Sequence, residues 1–361
     1  MVKCRKLIWS IYLKIKIENL YEILALFNIT STISNFIYLI NGINEKSSEI
    51  KIIMKVEFFN RSPLIVKLIK ENHHPNDLIE EQSIFSEYLR SQGVLTAKRY
   101  KKEGRYCIEY QIENIYVDIT VEDYIGDEIK AIDFNLAYKI GDLLAKIHNI
   151  SEAGKCHINN NTIFNLVGNN DVISFKEFEE IGESGKIDRE IFQLIRNTYY
   201  KKLEAIKMNW NKLPKYATQG DISINNLIYI GEDVGIFDYN IAGDEVLVCD
   251  MMLEGLFTAY EMDLMDFLTD KDRPKLFESF IKGYINTRPL KKEEYDVVSD
   301  IYSIGNALWF TKISYHSNSL EKLLEDGENE KANKLIREIE QIISSDKNII
   351  NEIVKSNNKS R

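Results

Sequence analysis

Apolar residues in the first third of the chain fall in short β-branched runs, and from residue 133 onward they recur every three or four positions. The first pattern predicts strands over residues 36–40, 50–59 and 64–69, separated by turns at 41–44 and 60–63. Pro63 has no N–H to give a sheet, so it belongs at the mouth of the third strand. Residues 105–110 and 115–122 read as two further strands around a turn at 111–114, which completes a five-stranded antiparallel sheet. Ahead of the sheet, Leu20, Ile23, Leu24 and Phe27 share one face of a helix over 19–28. A second helix is predicted over 78–91. On it Glu81, Phe85 and Tyr88 share a face at i, i+4 and i+7, while Glu80 and Glu87 read as solvated.

The second pattern predicts a mainly helical continuation. Leu136, Ile140, Leu143, Leu144 and Ile147 form one face of a helix over 133–149, with Asp133 as its N-cap. Residues 159–184 are polar and irregular and read as a loop excursion, and 187–210 as a long helix. Past residue 254, the stripes Phe277, Phe280, Ile281, Tyr284 and Val297, Ile301, Ile304, Leu308 mark core-facing helices. Acidic residues Glu254, Glu261, Asp263 and Asp266 either floor an amine pocket or form a solvated face, and 356–361 reads as a frayed tail. The fold class is therefore α+β, with a small sheet lobe over 1–123 and a larger helical lobe over 124–361.

Chemistry concentrates between residues 219 and 240. Asp221 follows Gly220 on a tight turn, Asn226 comes five residues later, and the apolar strand 227–230 reverses at 231–233 into a strand that delivers Asp238. Paired strands lie roughly 5 Å apart, so Asn226 at the start of one can approach Asp238 at the end of the other. An amide oxygen and a carboxylate converging in this way suit Mg2+, which keeps several waters and draws further ligands from substrate phosphates. Lys67 stands inside the apolar run 64–69. A buried ammonium needs a partner, and the alternative is the solvent face of an edge strand.

The spacing of Asp221, Asn226 and Asp238 resembles the catalytic loop and metal-binding Asp of the aminoglycoside phosphotransferase and choline kinase family, relatives of the protein kinases. The family pattern is H-G-D-x-x-x-x-N, an apolar strand, a turn, and a second strand ending in D-F or D-W. Here Gln219 replaces the His, and Tyr239-Asn240 follow Asp238. The resemblance implies a protein-kinase-like two-lobed fold and an ATP- and Mg2+-dependent transfer of the γ-phosphate to a small-molecule hydroxyl. In that frame Lys67 looks like the lysine of the kinase V-A-I-K strand, which holds the α- and β-phosphates and pairs with a helical Glu. Glu81 is the expected partner, although the family alignment puts Gln82 at that place. By position, Glu122, Asp123 and Tyr124 resemble the hinge whose backbone receives adenine. Asn226 and Asp238 would hold the metal, and Asp221 would orient the acceptor hydroxyl and take its proton. His148 ends a segment similar to the family's L-A-x-L-H, where it reads as a packed structural histidine, and Asp250 reads as an N-cap and scaffold residue. The G-x-G-x-x-G loop of protein kinases is absent.

Composition narrows the partners. The chain has 361 residues, 44% hydrophobic and 28% charged, with a formal net charge of -10. Such acidity argues against nucleic acid or an anionic membrane as a partner; it would attract a cationic acceptor, and the alternative is that it serves solubility alone. The four cysteines show no C-x-x-C pair, so neither a zinc site nor a disulfide framework is indicated. Residues 1–16 make a poor signal peptide, with a seven-residue apolar run closed by Lys14 and Lys16, and a reducing cytoplasm is the simplest location. The nominal acceptor is an aminoglycoside. The alternatives are a choline- or homoserine-type metabolite and, from another class, a kinase-shaped binding protein without catalysis. A protein substrate is disfavoured because no A-P-E segment follows Asp238.

Overall fold

The computed structural model describes residues 14–358 except 45, 46, 73, 113, 169 and 347, with side chains through residue 353. The leader-like stretch at the N-terminus therefore lies almost wholly outside the described residues, as do 359–361. The chain builds two lobes, a small antiparallel sheet lobe and a larger helical one.

In the small lobe, α1 (Ile17–Leu26) precedes β1 (Ile33–Asn44), β2 (Glu49–Phe58) and β3 (Leu64–Lys70). Then come α2 (Asn76–Ser91), β4 (Ile108–Ile112) and β5 (Ile115–Asp123). The five strands form one antiparallel sheet in the order β1-β2-β3-β5-β4. Strand alternation decides which side chains meet. Ile52, Met54 and Val56 of β2, Leu64, Val66 and Leu68 of β3, and Val117, Ile119 and Val121 of β5 enter one core with Leu20, Ile23 and Leu24 of α1. The intervening residues, Ile53, Ile65, Lys67, Thr120 and Glu122 among them, occupy the opposite face. A one-residue slip would exchange the two faces, so burial pins the register.

Strand ends shift from expectation by one to four residues, and two of the shifts have a clear cause. β1 runs on through the predicted turn to Asn44, which pairs with Glu49, because Ile43 pairs with Ile50 and packs on the small-lobe core. β4 starts at Ile108 rather than at residue 105. The N–H groups of Tyr106 and Cys107 donate to Glu80 Oε2 at 2.9 and 2.8 Å, so they are not free for a ladder. Glu80 is thus a partner of the backbone rather than a solvated acid. Glu87 is another, accepting from Arg99 N at 2.6 Å.

The large lobe contains α3 (Phe134–Gly154), α4 (Phe175–Glu183), α5 (Arg189–Trp210), β6 (Lys215–Thr218), β7 (Leu227–Ile230), β8 (Asp233–Ile236), β9 (Gly243–Val246), α6 (Leu247–Tyr260) and α7 (Arg273–Thr287). Asp133 caps α3 by accepting from Leu136 N at 2.7 Å. The stretch 159–184, expected to be irregular, contains α4, whose Phe175 stacks on Tyr199 of α5 with ring centroids 3.6 Å apart. Polar spacing hid an amphipathic helix there. α3 and α7 pack at close range because each offers a glycine. A Cβ on Gly141 would stand 2.0 Å from Phe280 O, and one on Gly283 2.0 Å from Tyr138 O. α2 joins the lobes, since its Phe85 and Leu89 belong to the large-lobe core. The helix Ile349–Asn358 runs into the expected tail, and no described helix is long and apolar enough to cross a membrane.

Candidate active site

Lys67 is 7% exposed, and alternation aims it away from the small-lobe core. It lies opposite Thr120 on β5, and Glu122 is two residues further along on the same face. Its Nζ is 3.0 Å from Glu122 Oε1 and 3.3 Å from Asp238 Oδ1. Burial opposes the ammonium charge, but Asp238 and then Glu122 outweigh it and hold the pKa above the usual lysine value. Glu122 is itself held from the other side, with Arg99 Nη2 at 3.3 Å and Arg99 Nη1 donating to Ser83 Oγ at 2.6 Å. Arg99, Glu122, Lys67 and the partly exposed Asp238 therefore form one charge row between β5 and the hairpin that carries Asn226 and Asp238.

This arrangement corrects the Glu81 reading. Glu81 is not an ion-pair partner of Lys67, and its carboxylate accepts instead from Asn159 N at 2.8 Å. Gln82 is the buried residue of that turn. It donates to the carbonyls of Asn240 and Ala242 at 3.0 and 3.1 Å, and its Oε1 lies 2.8 Å from His74 Nε2. The helix thus grips the segment after Asp238, and the sheet supplies the acid for the lysine. Sequence spacing could not reveal this, because the proximity of Glu122 depends on the β3/β5 register.

The hairpin forms as its residue types require. Gly220, with φ at +79°, makes the turn before Asp221, and β7 pairs with β8 from Leu227↔Ile236 to Ile230↔Asp233. Phe237 N donates to Asn226 O at 3.0 Å, so the two strand ends carrying Asn226 and Asp238 are drawn together. Asn226 Nδ2 donates to Asp221 O and Oδ2, both at 3.0 Å. That orientation leaves Asn226 Oδ1 as a free oxygen ligand. Asp238 sits in the left-handed region at φ +59°, a conformation that Asp tolerates better than most side chains. Burial pushes its pKa up, yet Lys67 and then Lys51 outweigh this and keep the carboxyl below its ordinary value, so it is ionised. Asp221 is 6% exposed, and burial raises its pKa, which makes it a stronger proton acceptor than a solvated carboxylate.

Gln219 occupies the centre of this loop. Its Oε1 accepts from Asp221 N and its Nε2 donates to Asp238 O, each at 2.7 Å. Deeper in the lobe, His148 is fully buried. Its Nδ1 is 2.7 Å from Tyr284 Oη and its Nε2 is 2.9 Å from Asp250 Oδ2, which also accepts from Thr218 Oγ1 at 2.9 Å. Burial lowers the His148 pKa, and the ring packs as scaffold. Asp250 is scaffold as well, but not an N-cap, because α6 begins at Leu247 with Val246 before it. Glu254 floors no pocket. It is fully buried and accepts from Ile222 N at 3.1 Å, supporting the catalytic loop from below. Glu261 accepts from Trp309 Nε1 at 2.7 Å and Thr311 Oγ1 at 2.8 Å.

Between the lobes lies a cleft of about 710 Å³ lined by Ile37, Ile53, Ile65 and Lys67 of the sheet, residues 122–128 of the connection, and Asn226 and Asp238 below. Its upper walls are apolar and its far end is polar, as a base and its phosphates would need. Asp123 and Tyr124 are at the junction, but their N–H groups are spent on Lys98 O and Pro63 O at 2.9 and 3.1 Å. Of the three residues read as a hinge, Glu122 therefore acts through its side chain, and the backbone of Asp123 and Tyr124 can offer carbonyls but no N–H to a base. Among the described residues no group of three or more His, Cys, Asp or Glu could hold a metal alone. The free Asn226 oxygen and the ionised Asp238 fit a hard cation that takes its other ligands from water and phosphate.

Comparison with known proteins agrees with this architecture at the level of fold. No protein-family model matches the sequence, and no curated protein does. Among solved structures, an amicoumacin kinase in complex with AMP-PNP, Ca2+ and Ami superposes with a TM-score of 0.54 at 11% identity, covering 91% of this chain and 94% of that one. A microcompartment-associated aminopropanol kinase gives 0.51 at 13% identity, covering 93% and 98%. The chain has the two-lobed protein-kinase-like fold.

Proposed function

We propose that this protein is an ATP- and Mg2+-dependent phosphotransferase that moves a γ-phosphate to the hydroxyl of a small molecule. The observation that carries the reading is the convergence of Lys67, Asn226 and Asp238 at one end of the interlobe cleft, with Asp221 held beside them by its hydrogen bond from Asn226. Lys67 would bind the α- and β-phosphates. Asn226 Oδ1 and the Asp238 carboxylate would hold Mg2+, which when bound neutralises phosphate charge. Asp221 would align the acceptor hydroxyl and take its proton as the new bond forms. Phosphoryl transfer has a loose transition state, so positioning and charge neutralisation supply most of the catalysis. No nucleophilic Ser or Cys is needed.

For the acceptor, the net charge of -10 favours a cationic alcohol. An aminoglycoside is the nominal choice, with a choline- or homoserine-type metabolite as the alternative. The kinases of amicoumacin and aminopropanol that share the fold make amino-alcohols a sensible panel. The test is calorimetric titration of Mg-ATP into the wild type and Asp238→Ala, with hydrolysis followed in the presence of each acceptor. Magnesium-dependent binding that the variant loses is expected. No binding by folded wild-type protein would overturn the reading.

A further inference from the structure

The sheet face that carries Lys67 holds three lysines that differ in how their charge is used, and of these Lys55 and Lys67 line the cleft while Lys51 stands beyond its lining. Lys67 is held between Glu122 and Asp238. Lys55 Nζ lies 4.0 Å over the Tyr124 ring and 3.7 Å from Glu57, at the lobe junction. The Lys51 side chain is half-buried and has no hydrogen-bond or ion-pair partner among the described residues. Its direction follows from the register. Ile50, Ile52, Met54 and Val56 enter the small-lobe core, so Lys51, Ile53 and Lys55 share the opposite face. Lys51 pairs with Ile69, two residues beyond Lys67 and away from the junction at Asp123, which is about 7 Å of strand.

Lys67, Arg99, Glu122 and Asp238 are two cations and two anions, so the row is neutral before any phosphate arrives. A triphosphate stays net negative even with one Mg2+ bound, and the neutral row does not offset what is left. Lys51 is close enough to Glu71 for its charge to add to the hydrogen bond from His74 in pulling that carboxyl down. On β1 it faces Gly42, the only glycine of an arm that has no glycine-rich phosphate loop.

We propose that Lys51 is a second phosphate-binding residue, contacting the terminal phosphates of the nucleotide where a cradle of backbone N–H groups is missing. This rests on the nucleotide reading given above. It places the base toward Tyr124, the inner phosphates at Lys67 and the outer ones at Lys51.

The test compares AMP, ADP and ATP binding, each with Mg2+, by calorimetry for the wild type, Lys51→Met and Lys51→Arg. In Lys51→Met, affinity for ATP should fall about tenfold or more and for ADP by less, with AMP unchanged, and Lys51→Arg should retain most of the ATP affinity. Unchanged ATP binding by Lys51→Met would overturn the proposal. So would an equal loss for all three nucleotides, which would mark a structural effect. If the wild type binds none of them, the nucleotide reading itself fails, and this inference falls with it.

Discussion

Gln219 Nε2 donates to the Asp238 carbonyl at 2.7 Å while the same amide accepts from Asp221 N, so one side chain ties the backbone at Asp221 to that at Asp238. A neutral amide does this without adding charge beside two carboxylates. It also satisfies a donor and an acceptor that would otherwise be buried and unpaired.

Replacing Gln219 by Leu should therefore destabilise the protein by about 1–3 kcal/mol, the cost of leaving buried polar groups unmet. It should also weaken magnesium-dependent nucleotide binding. Urea denaturation checks the first effect and calorimetry the second. A variant as stable as wild type would show that the amide is not a structural tie.

Glu122→Gln removes the carboxylate shared by Lys67 and Arg99. Breaking a buried pair in this way costs about 3–5 kcal/mol, mostly from the charge left unpaired. Adding Arg99→Met should recover part of the loss, and a double-mutant cycle measures the coupling. Glu81→Gln, in contrast, should leave nucleotide affinity as it is, because Glu81 holds Asn159 and not Lys67.

Glu245 is fully buried on β9, and burial pushes its pKa up to about 8 from an ordinary 4.5. Between those values the folded protein keeps a proton that the unfolded chain gives up. Its contribution to stability is therefore lost as pH rises from about 4.5 to about 8, by at most about 1.4 kcal/mol per pH unit. Denaturation curves at several pH values should show a shallower decline for Glu245→Gln than for the wild type.

Gly141→Ala would push a methyl group toward Phe280 O, where a Cβ has only 2.0 Å. The α3–α7 contact must open, with a loss of about 1–3 kcal/mol read from the denaturation midpoint. A midpoint at or above that of wild type would mean that the helices separate freely.

Much of the site could be read along the chain because its parts are close in sequence. Asp221, Asn226 and Asp238 fall within eighteen positions, and one tight hairpin brings them together whatever surrounds it. Lys67 could be read because an ammonium inside Leu64–Ile69 demands a partner. Which partner could not be read, since Glu122 is 55 positions away and meets it only through the β3/β5 register. Helical phase alone pointed to Glu81, and it was the wrong guide because α2 turns Gln82, not an acid, toward the residues after Asp238.

By itself the sequence determined what local periodicity and short spacing control: the five strands, the helices α1, α2, α3 and α5, and the catalytic hairpin. The tertiary structure decided everything that depends on long-range register and burial. It set the Arg99–Glu122–Lys67–Asp238 row, tied Gln219 to both Asp221 and Asp238, and buried Glu254 under the loop that carries Asp221. The physical reason is that backbone geometry fixes the direction of a side chain within a few residues. Its partner across the fold is chosen only when strands align and water is excluded.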